Sequence, residues 1–494
     1  MKNNFYLTTT LPYVNGEPHI GHTLEFVQAD AICRFRRMMG ENVYFNTGTD
    51  EHGLKQYQKA AETGRTVKEH VDYYAERFKE FCRLFNISYD RFIRTTDPDH
   101  YKSAQTFWKA SEANGDIYKK KYSGMYCVGC EEFKTEKDLI DGKCPQHDKA
   151  PIEYAEENYF FKFSRYQQQL LELYKSNPSF TRPESKLQEM ISFVGNGLDD
   201  ISISRRKENL PWGVPVPGDD EQVMYVWFDA LVNYVTSIGY GTDEKKFNQW
   251  WPVVQLCGPD NNRFQSALWQ AMLMSAGIEP SKVILVHGMI LAEDGTKMSK
   301  TKGNVVSPFT LLEKYGYEAS RYYLISGIPT YTDASFSFEQ LESKYKADLQ
   351  NNFGNLLNRV ITLINRKSVK IKSDFSNFKL GDDLDIQNPD TEFNSKLNEA
   401  SEKYKSLMYD FQLFDAYEVV RKLAEFGNLY ITENAPWEKS KTQDQIDKTL
   451  VNLYTLLQIV IKMYQPLLPE SSTKAKDALD TLENIILFKD IVES

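Results

Sequence analysis

Strand-like segments alternating with amphipathic helical segments constrain this chain most, because they call for a parallel sheet covered by helices. Phe5 to Thr10 reads as a strand, and a turn follows through Pro12, Asn15, Gly16 and Pro18. A helix is expected from about His19 or Gly21, since Leu24, Val27, Ala31 and Phe35 then share one face. A second strand, Val43 to Thr47, ends at Gly48. In sheets of this kind ligands collect beyond the carboxyl ends of the strands.

The alternation breaks after about residue 115, where short segments rich in Cys, Lys, Asp and Gly begin, and mixed material continues to about 224. It resumes with expected strands at Val223 to Phe228, Val253 to Cys257 and Val283 to His287. The pattern predicts one nucleotide-binding fold in two halves, residues 1–115 and 225–339, split by an insertion over 116–224. Residues 340–494 read as helical. There Ala416, Val419, Val420 and Leu423 share a face, and Leu453, Leu456, Leu457, Val460 and Ile461 form an apolar stripe. The expected class is α/β: a Rossmann-like parallel-sheet domain split by an insertion, then an all-α bundle with breaks at Pro436 and Pro466.

At 494 residues the chain exceeds what one core supports, so two to four domains are expected. No apolar run is long enough for a transmembrane helix. Met1-Lys2-Asn3-Asn4 leads into the first strand without a signal-peptide core, so a cytoplasmic protein with no membrane partner is expected. The net charge of −10 argues against indiscriminate binding to nucleic acid. Local basic runs remain, at Lys119-Lys120-Lys121, Arg205-Arg206-Lys207 and Arg366 to Lys372, although such runs are by themselves more often solvated faces.

Three of the six cysteines crowd into one short segment. Cys127-x-x-Cys130 with Cys144-x-x-His147 supplies four N/S donors in two knuckles, suited to a closed, structural Zn²⁺ site. Gly129 and Pro145 suit the tight turns that knuckles need. Cys33, Cys82 and Cys257 sit in apolar surroundings and read as core residues.

Two segments carry chemistry. In Leu11-Pro-Tyr-Val-Asn-Gly-Glu-Pro-His-Ile-Gly-His22, two histidines flank a glycine where a helix begins after a strand. A helix N-terminus offers unpaired N–H groups and partial positive charge to phosphate, and imidazole donors can add to it. Gly21 leaves room for a nucleotide to approach the backbone. The second segment, Lys297-Met298-Ser299-Lys300-Thr301, lies in a polar loop after the strand ending at His287-Gly288, and its lysines can meet charge on a leaving pyrophosphate. No GxxxxGK[ST] and no GxGxxG is present, which disfavours a P-loop ATPase or a dinucleotide enzyme.

His19-Ile20-Gly21-His22 and Lys297-Met298-Ser299-Lys300-Thr301 together resemble the paired HIGH and KMSKS signatures of class I aminoacyl-tRNA synthetases. Several stretches resemble the methionyl branch: Thr10 to Gly16, Gly48 to Gly53, Ser202 to Arg205, Tyr225 to Ala230 and Ala435-Pro436-Trp437. The resemblance runs from residue 5 to beyond 465. It implies ATP-dependent activation of L-methionine to methionyl-adenylate, then transfer to the 3′ end of initiator and elongator tRNA-Met. ATP would bring Mg²⁺, and the insertion would bear the zinc.

The resemblance also implies roles by residue. His19, Gly21, His22, Lys297 and Lys300 would form the catalytic set, with Gly258, Asp260 and His287 also on ATP. Asp50 would hold the methionine ammonium, and Leu11, Tyr13, Trp227, Ala230, Tyr234, Asn261 and Gln265 would wall its pocket. Arg205 matches an arginine near the active site, and Asn355, Arg359 and Trp437 resemble anticodon readers. One stretch departs: relatives usually show HxxGKD and then an FH pair, whereas this chain has Gln255-Leu256-Cys257-Gly258-Pro259-Asp260 and Phe264-Gln265. Gln265 is expected to take over the hydrogen bond of the missing histidine.

The rival readings are another class I synthetase or a tRNA-binding relative without catalysis. The large editing insertions of the leucine, isoleucine and valine enzymes have no room here, and Ala435-Pro436-Trp437 favours methionine over cysteine. With no further RNA-binding module after the last expected helix, a monomer is expected.

Overall fold

The computed structural model describes residues 3–128, 132–134, 138–146, 148–298, 303–371, 380 and 391–490. Six parallel strands form the central sheet: β1 (Asn4–Thr8), β2 (Asn42–Thr49), β3 (Arg91–Arg94), β4 (Thr181–Arg182), β5 (Val254–Cys257) and β6 (Val283–Val286). Their order is β3-β2-β1-β5-β6-β4. The chain therefore runs outward one way from β1 and the other way from β5, and the two meet in register at Leu7↔Val254 and Thr8↔Gln255. A crevice opens at such a switch point because the connections leave β1 and β5 in opposite directions.

Both faces of the sheet are covered, and the strand period of two sorts the side chains between them. Leu285 joins the core that continues into the C-terminal helices, whereas Ile284 and Val286 join a second core with Phe180, Leu187 and Trp269. β1 leads into helix α1 (Ile20–Met38), whose N-cap is His19, at the start the apolar spacing predicts.

The segment expected as an insertion is partly built into the sheet, since β4 lies within it and pairs with β6. The rest is antiparallel. Strand Ile117–Cys127 pairs with Ile152–Phe161 from Ile117↔Phe161 to Tyr126↔Ile152. The expected strand at Val223 to Phe228 needs correction: a strand covers Asp219–Met224, bonded to Ser204–Arg206, and Val226–Ala230 turns into a short helix. A short apolar run reads equally as buried strand or buried helix. Here Asp229, clamped between two histidines, anchors the helical form.

Helix α2 (Pro308–Ser326) leads from the second half of the sheet domain to the bundle, formed by α3 (Asn355–Lys367), α4 (Thr391–Tyr409), α5 (Leu413–Asn434), α6 (Gln443–Tyr464) and α7 (Pro469–Thr481). α5 and α6 end just before Pro436 and Pro466. Gly427 lets three helices meet, because a Cβ there would stand 2.7 Å from Leu356 and 3.1 Å from Leu456. A buried ion pair joins sheet domain to bundle. Arg321 lies 2.7 Å from Asp30 of α1, with both side chains fully buried, and donates to the Pro466 and Leu467 carbonyls. Burial pushes the Asp30 carboxyl up, but Arg321, Arg34 and Ser88 outweigh it and hold it below its usual range. No helix of the described residues is long and apolar enough to cross a membrane.

Candidate active site

A cleft of about 360 Å³ opens at the β1/β5 switch point. Its walls come from the carboxyl ends of four strands: Leu11 and Tyr13 after β1, Asp50 after β2, Gly258 to Asn261 after β5 and His287 after β6. The first two loops are tied by the backbone, Asp50 N–H to Pro12 O at 2.9 Å and Val14 N–H to Asp50 O at 3.3 Å. His19, Gly21 and His22 reach the same cleft from the start of α1, and Lys297 from the loop beyond β6.

The two histidines cap α1. His19 Nδ1 accepts from the Gly21 N–H at 3.2 Å, and His22 Nδ1 accepts from the His19 N–H at 3.3 Å. A backbone N–H can only donate, so in the neutral ring each Nδ1 is bare and the proton sits on Nε2, as a donor to a phosphate oxygen requires. The rings stack, with centroids 3.6 Å apart. The Ile20 N–H donates to Val306 O at 3.0 Å, which fastens the far side of the Lys297 loop to the same helix end.

Lys297 Nζ lies 2.6 Å from Asp260 Oδ2. Lys300, with Ser299 and Thr301, lies outside the described residues. Glu25, which sequence reading missed, accepts from the Thr10 N–H and hydroxyl at 2.6 Å each and lies 3.3 Å from His287 Nε2. The sequence offers no clear signal for it, since its neighbours one turn away on α1 are Gly21, His22, Gln28 and Ala29.

The opposite wall is aromatic and amide. Trp227 stacks on Phe264 at 3.8 Å and meets Tyr13 edge-on at 6.2 Å. Ala230, Tyr234, Asn261 and Gln265 complete it. Gln265 Nε2 donates to the Tyr234 hydroxyl at 2.6 Å, while burial pushes that phenol up. Behind this wall, Asp229 accepts from His52 Nδ1 at 2.5 Å and His100 Nε2 at 2.6 Å, joining the Trp227 helix to the loop that carries Asp50.

Three other groups lie elsewhere. Arg205 is buried beside the sheet of the insertion, bonded to Ser202 Oγ and stacked on Tyr225 and Tyr126, and it does not line the cleft. Cys127 ends a strand and Cys144 begins a tight turn that closes on Lys149, and both side chains are buried. Asp141 and Gly142, both at positive φ, form the turn that leads into Cys144. Cys130 and His147 lie outside the described residues. Two buried thiols, one at a strand end and one at the root of a tight turn, fit a thiolate-rich zinc site; among the described residues no group of three or more ligands forms. In the bundle, Asn355 and Arg359 share a face of α3, where Arg359 donates to Asn428 and Thr432 of α5. Trp437 is 47% exposed just past α5.

Comparison with known proteins adds a family. The chain matches "tRNA synthetases class I (M)" over residues 5–153 and 137–361, and "Anticodon binding domain of methionyl tRNA ligase" over 382–491. It is 39% identical to a methionine–tRNA ligase of Caldanaerobacter subterraneus, covering 99% of this chain and 76% of the relative. It is 37% identical to one of Brucella suis, covering 100% and 95%. Among solved structures, methionyl-tRNA synthetase of Mycobacterium tuberculosis in complex with methionyl-adenylate superposes with a TM-score of 0.88 at 36% identity, covering 97% of this chain and 94% of that one.

Proposed function

The chain belongs to the methionyl class I tRNA synthetases, and on that premise we propose how its residues divide the reaction. It is a methionine–tRNA ligase, using ATP and methionine to charge tRNA through its anticodon-binding domain. In the first half-reaction the methionine carboxylate attacks the α-phosphorus of ATP and the bond to the β-phosphate breaks. In the second, the 3′-terminal ribose hydroxyl attacks the adenylate carbonyl, losing its proton as AMP leaves. No protein nucleophile is needed, so catalysis is positioning and charge stabilisation.

His19 and His22 donate to the α-phosphate as charge builds, Gly21 gives the nucleotide room, and Lys297 and Lys300 receive the pyrophosphate. Gly258, Asp260 and His287 seat the nucleoside. Asp50 holds the methionine ammonium, and Leu11, Tyr13, Trp227, Ala230, Tyr234, Asn261 and Gln265 enclose the side chain, with aromatic faces suited to a thioether. Arg205 acts through the insertion rather than on the nucleotide. Asn355, Arg359 and Trp437 read the anticodon. The observation that carries this reading is the convergence of His19, His22, Asp50, Asp260 and Lys297 on one cleft.

A divalent ion, Mg²⁺, accompanies ATP and neutralises its phosphates. Cys127, Cys130, Cys144 and His147 would hold a structural Zn²⁺, which would cross-link the insertion; elemental analysis finding no zinc in the purified protein would overturn that part. The enzyme works in the cytoplasm, where translation consumes charged tRNA. The deciding assay is amino-acid-dependent ATP–pyrophosphate exchange. Exchange with methionine, and none with cysteine, leucine, isoleucine or valine, is expected; exchange driven by one of those four instead would refute the reading.

A further inference from the structure

The residue that follows Asp50 is held by both its side chain and its backbone. β2 and β3 pair so that Thr49 stands opposite Arg94, which brings the carboxyl ends of both strands to Glu51. The Glu51 carboxylate is fully buried. It accepts from Thr49 Oγ1 at 2.7 Å, from Arg94 Nε and Nη2 at 2.6 and 2.8 Å, and from the Thr96 hydroxyl. A buried carboxylate needs such a set, because leaving its charge unpaired costs far more than any single bond returns. Arg94 also donates to Asp72 Oδ1 at 2.6 Å, which ties the pair to the helix Val67–Leu84. Burial pulls the Arg94 guanidinium down, but Glu51 and Asp72 outweigh it and hold it above its usual range.

The backbone of Glu51 is tied as firmly. Its N–H donates to Thr95 Oγ1 at 2.9 Å, and its C=O accepts from Trp212 Nε1 of the insertion at 2.7 Å. The other end of that same peptide is the His52 N–H, which donates to Asp50 Oδ1 at 3.3 Å. An Asp side chain bonded to the N–H two residues on turns with that peptide. The direction of the Asp50 carboxylate in the cleft is therefore set by the Glu51–His52 peptide plane. Trp212, Thr95 and the Glu51–Arg94 pair hold that plane from outside the cleft, which none of them lines.

We propose that Glu51, Arg94 and Trp212 are positioning residues for the methionine ammonium, acting through the peptide that aims the Asp50 carboxylate. A charge-assisted hydrogen bond depends on direction as well as on charge, so a carboxylate turned aside by a loosened peptide keeps its charge and loses the bond. This rests on the assignment of Asp50 to the ammonium.

The test uses two competitors of methionine in ATP–pyrophosphate exchange. L-Methioninol keeps the ammonium and the thioether side chain, and its deamino analogue keeps the side chain alone. Glu51→Gln removes the charged acceptor of Arg94 in the same volume. It is expected to raise the inhibition constant of methioninol and the KM for methionine about tenfold. The KM for ATP, kcat and inhibition by the deamino analogue should stay nearly unchanged. Arg94→Lys, which keeps the charge and loses the fork, should behave alike. Trp212→Phe keeps a ring and removes only the donor to the Glu51 carbonyl. It should shift the same two constants about threefold, and it carries the proposal should the other variants fail to fold. In an Asp50→Asn background, Glu51→Gln should add nothing to the methioninol shift. Parallel weakening of both competitors, as a general loosening of the pocket gives, would overturn the proposal. Unchanged methioninol inhibition, or an added effect in the Asp50→Asn background, would do the same. An Asp50→Asn variant that is inhibited by methioninol as strongly as wild type would instead refute the assignment of Asp50 to the ammonium.

Discussion

Lys297 Nζ stands 2.6 Å from Asp260 Oδ2, so the first lysine of the Lys297-Met298-Ser299-Lys300-Thr301 signature is paired with the carboxylate just beyond the end of β5. Both side chains are 59% exposed, and an exposed pair of this kind stabilises by at most about 1 kcal/mol. ATP phosphates can therefore draw Lys297 away at little cost. Asp260→Asn should leave the unfolding free energy within about 1 kcal/mol of wild type. It should raise the KM for ATP about tenfold through the lost charged acceptor. Chemical denaturation and exchange kinetics check both halves; a large loss of stability with unchanged KM would show that Asp260 anchors the loop and not the nucleotide.

His22→Ala should lower methionine-dependent exchange by roughly 10²–10³-fold with the fold intact. The Nδ1 atoms of His19 and His22 already accept backbone N–H groups, so what each ring can offer a phosphate is its Nε2 proton. Lys300→Ala should have a loss of similar size, on the leaving-group side. Near-normal exchange in both variants would remove these residues from the chemistry.

Asp229 is fully buried, and burial alone would raise its carboxyl; His52 and His100 overcome this and hold it at about 2 against a usual value of 3.8. The folded state thus binds this proton less readily than the unfolded chain. The resulting stability, about 2 kcal/mol, is present above pH 4 and lost as pH falls from about 4 to about 2. Asp229→Asn should flatten acid unfolding across that window and cost about 3 kcal/mol at neutral pH, because two buried imidazoles lose a charged acceptor. The KM for methionine should rise as well, since the carboxylate joins the Trp227 helix to the Asp50 loop. An unchanged acid profile in urea titrations would sink the assignment.

Sequence patterns reveal the strands and the start of α1 because their physics is local. A parallel strand buried on both faces is a continuous apolar run, and α1 announces itself by spacing and a polar cap. Val226–Ala230 escapes that logic: its apolar run suits a strand, and a carboxylate held by His52 and His100, over a hundred residues earlier, decides for helix. The two-residue β4 is too short to carry a period at all. Cleft residues such as Asp50 and Trp227 sit in recognisable segments, whereas Glu25 matters through His287, a partner distant in the chain. Arg205 lies in a recognisable segment yet turns into an aromatic cage instead of the cleft.

Trp437→Ala should impair tRNA charging while leaving exchange nearly intact. α5 ends at Asn434, and Ala435 takes a left-handed conformation, φ 42°, that reverses the chain and leaves the following tryptophan 47% exposed. A non-glycine residue held there costs roughly 1 kcal/mol, and such strain concentrates where geometry serves binding. An indole face left to solvent can stack an unpaired base, a contact worth about 1–3 kcal/mol, so the KM for tRNA should rise about 10–100-fold. Arg359→Ala should act in the same direction, because its guanidinium and Asn355 share the face of α3 turned to Asn428. Exchange depends on the β1/β5 cleft, in a different domain, and needs no tRNA. A variant that loses exchange and charging together would reveal Trp437 as a residue of folding rather than of recognition.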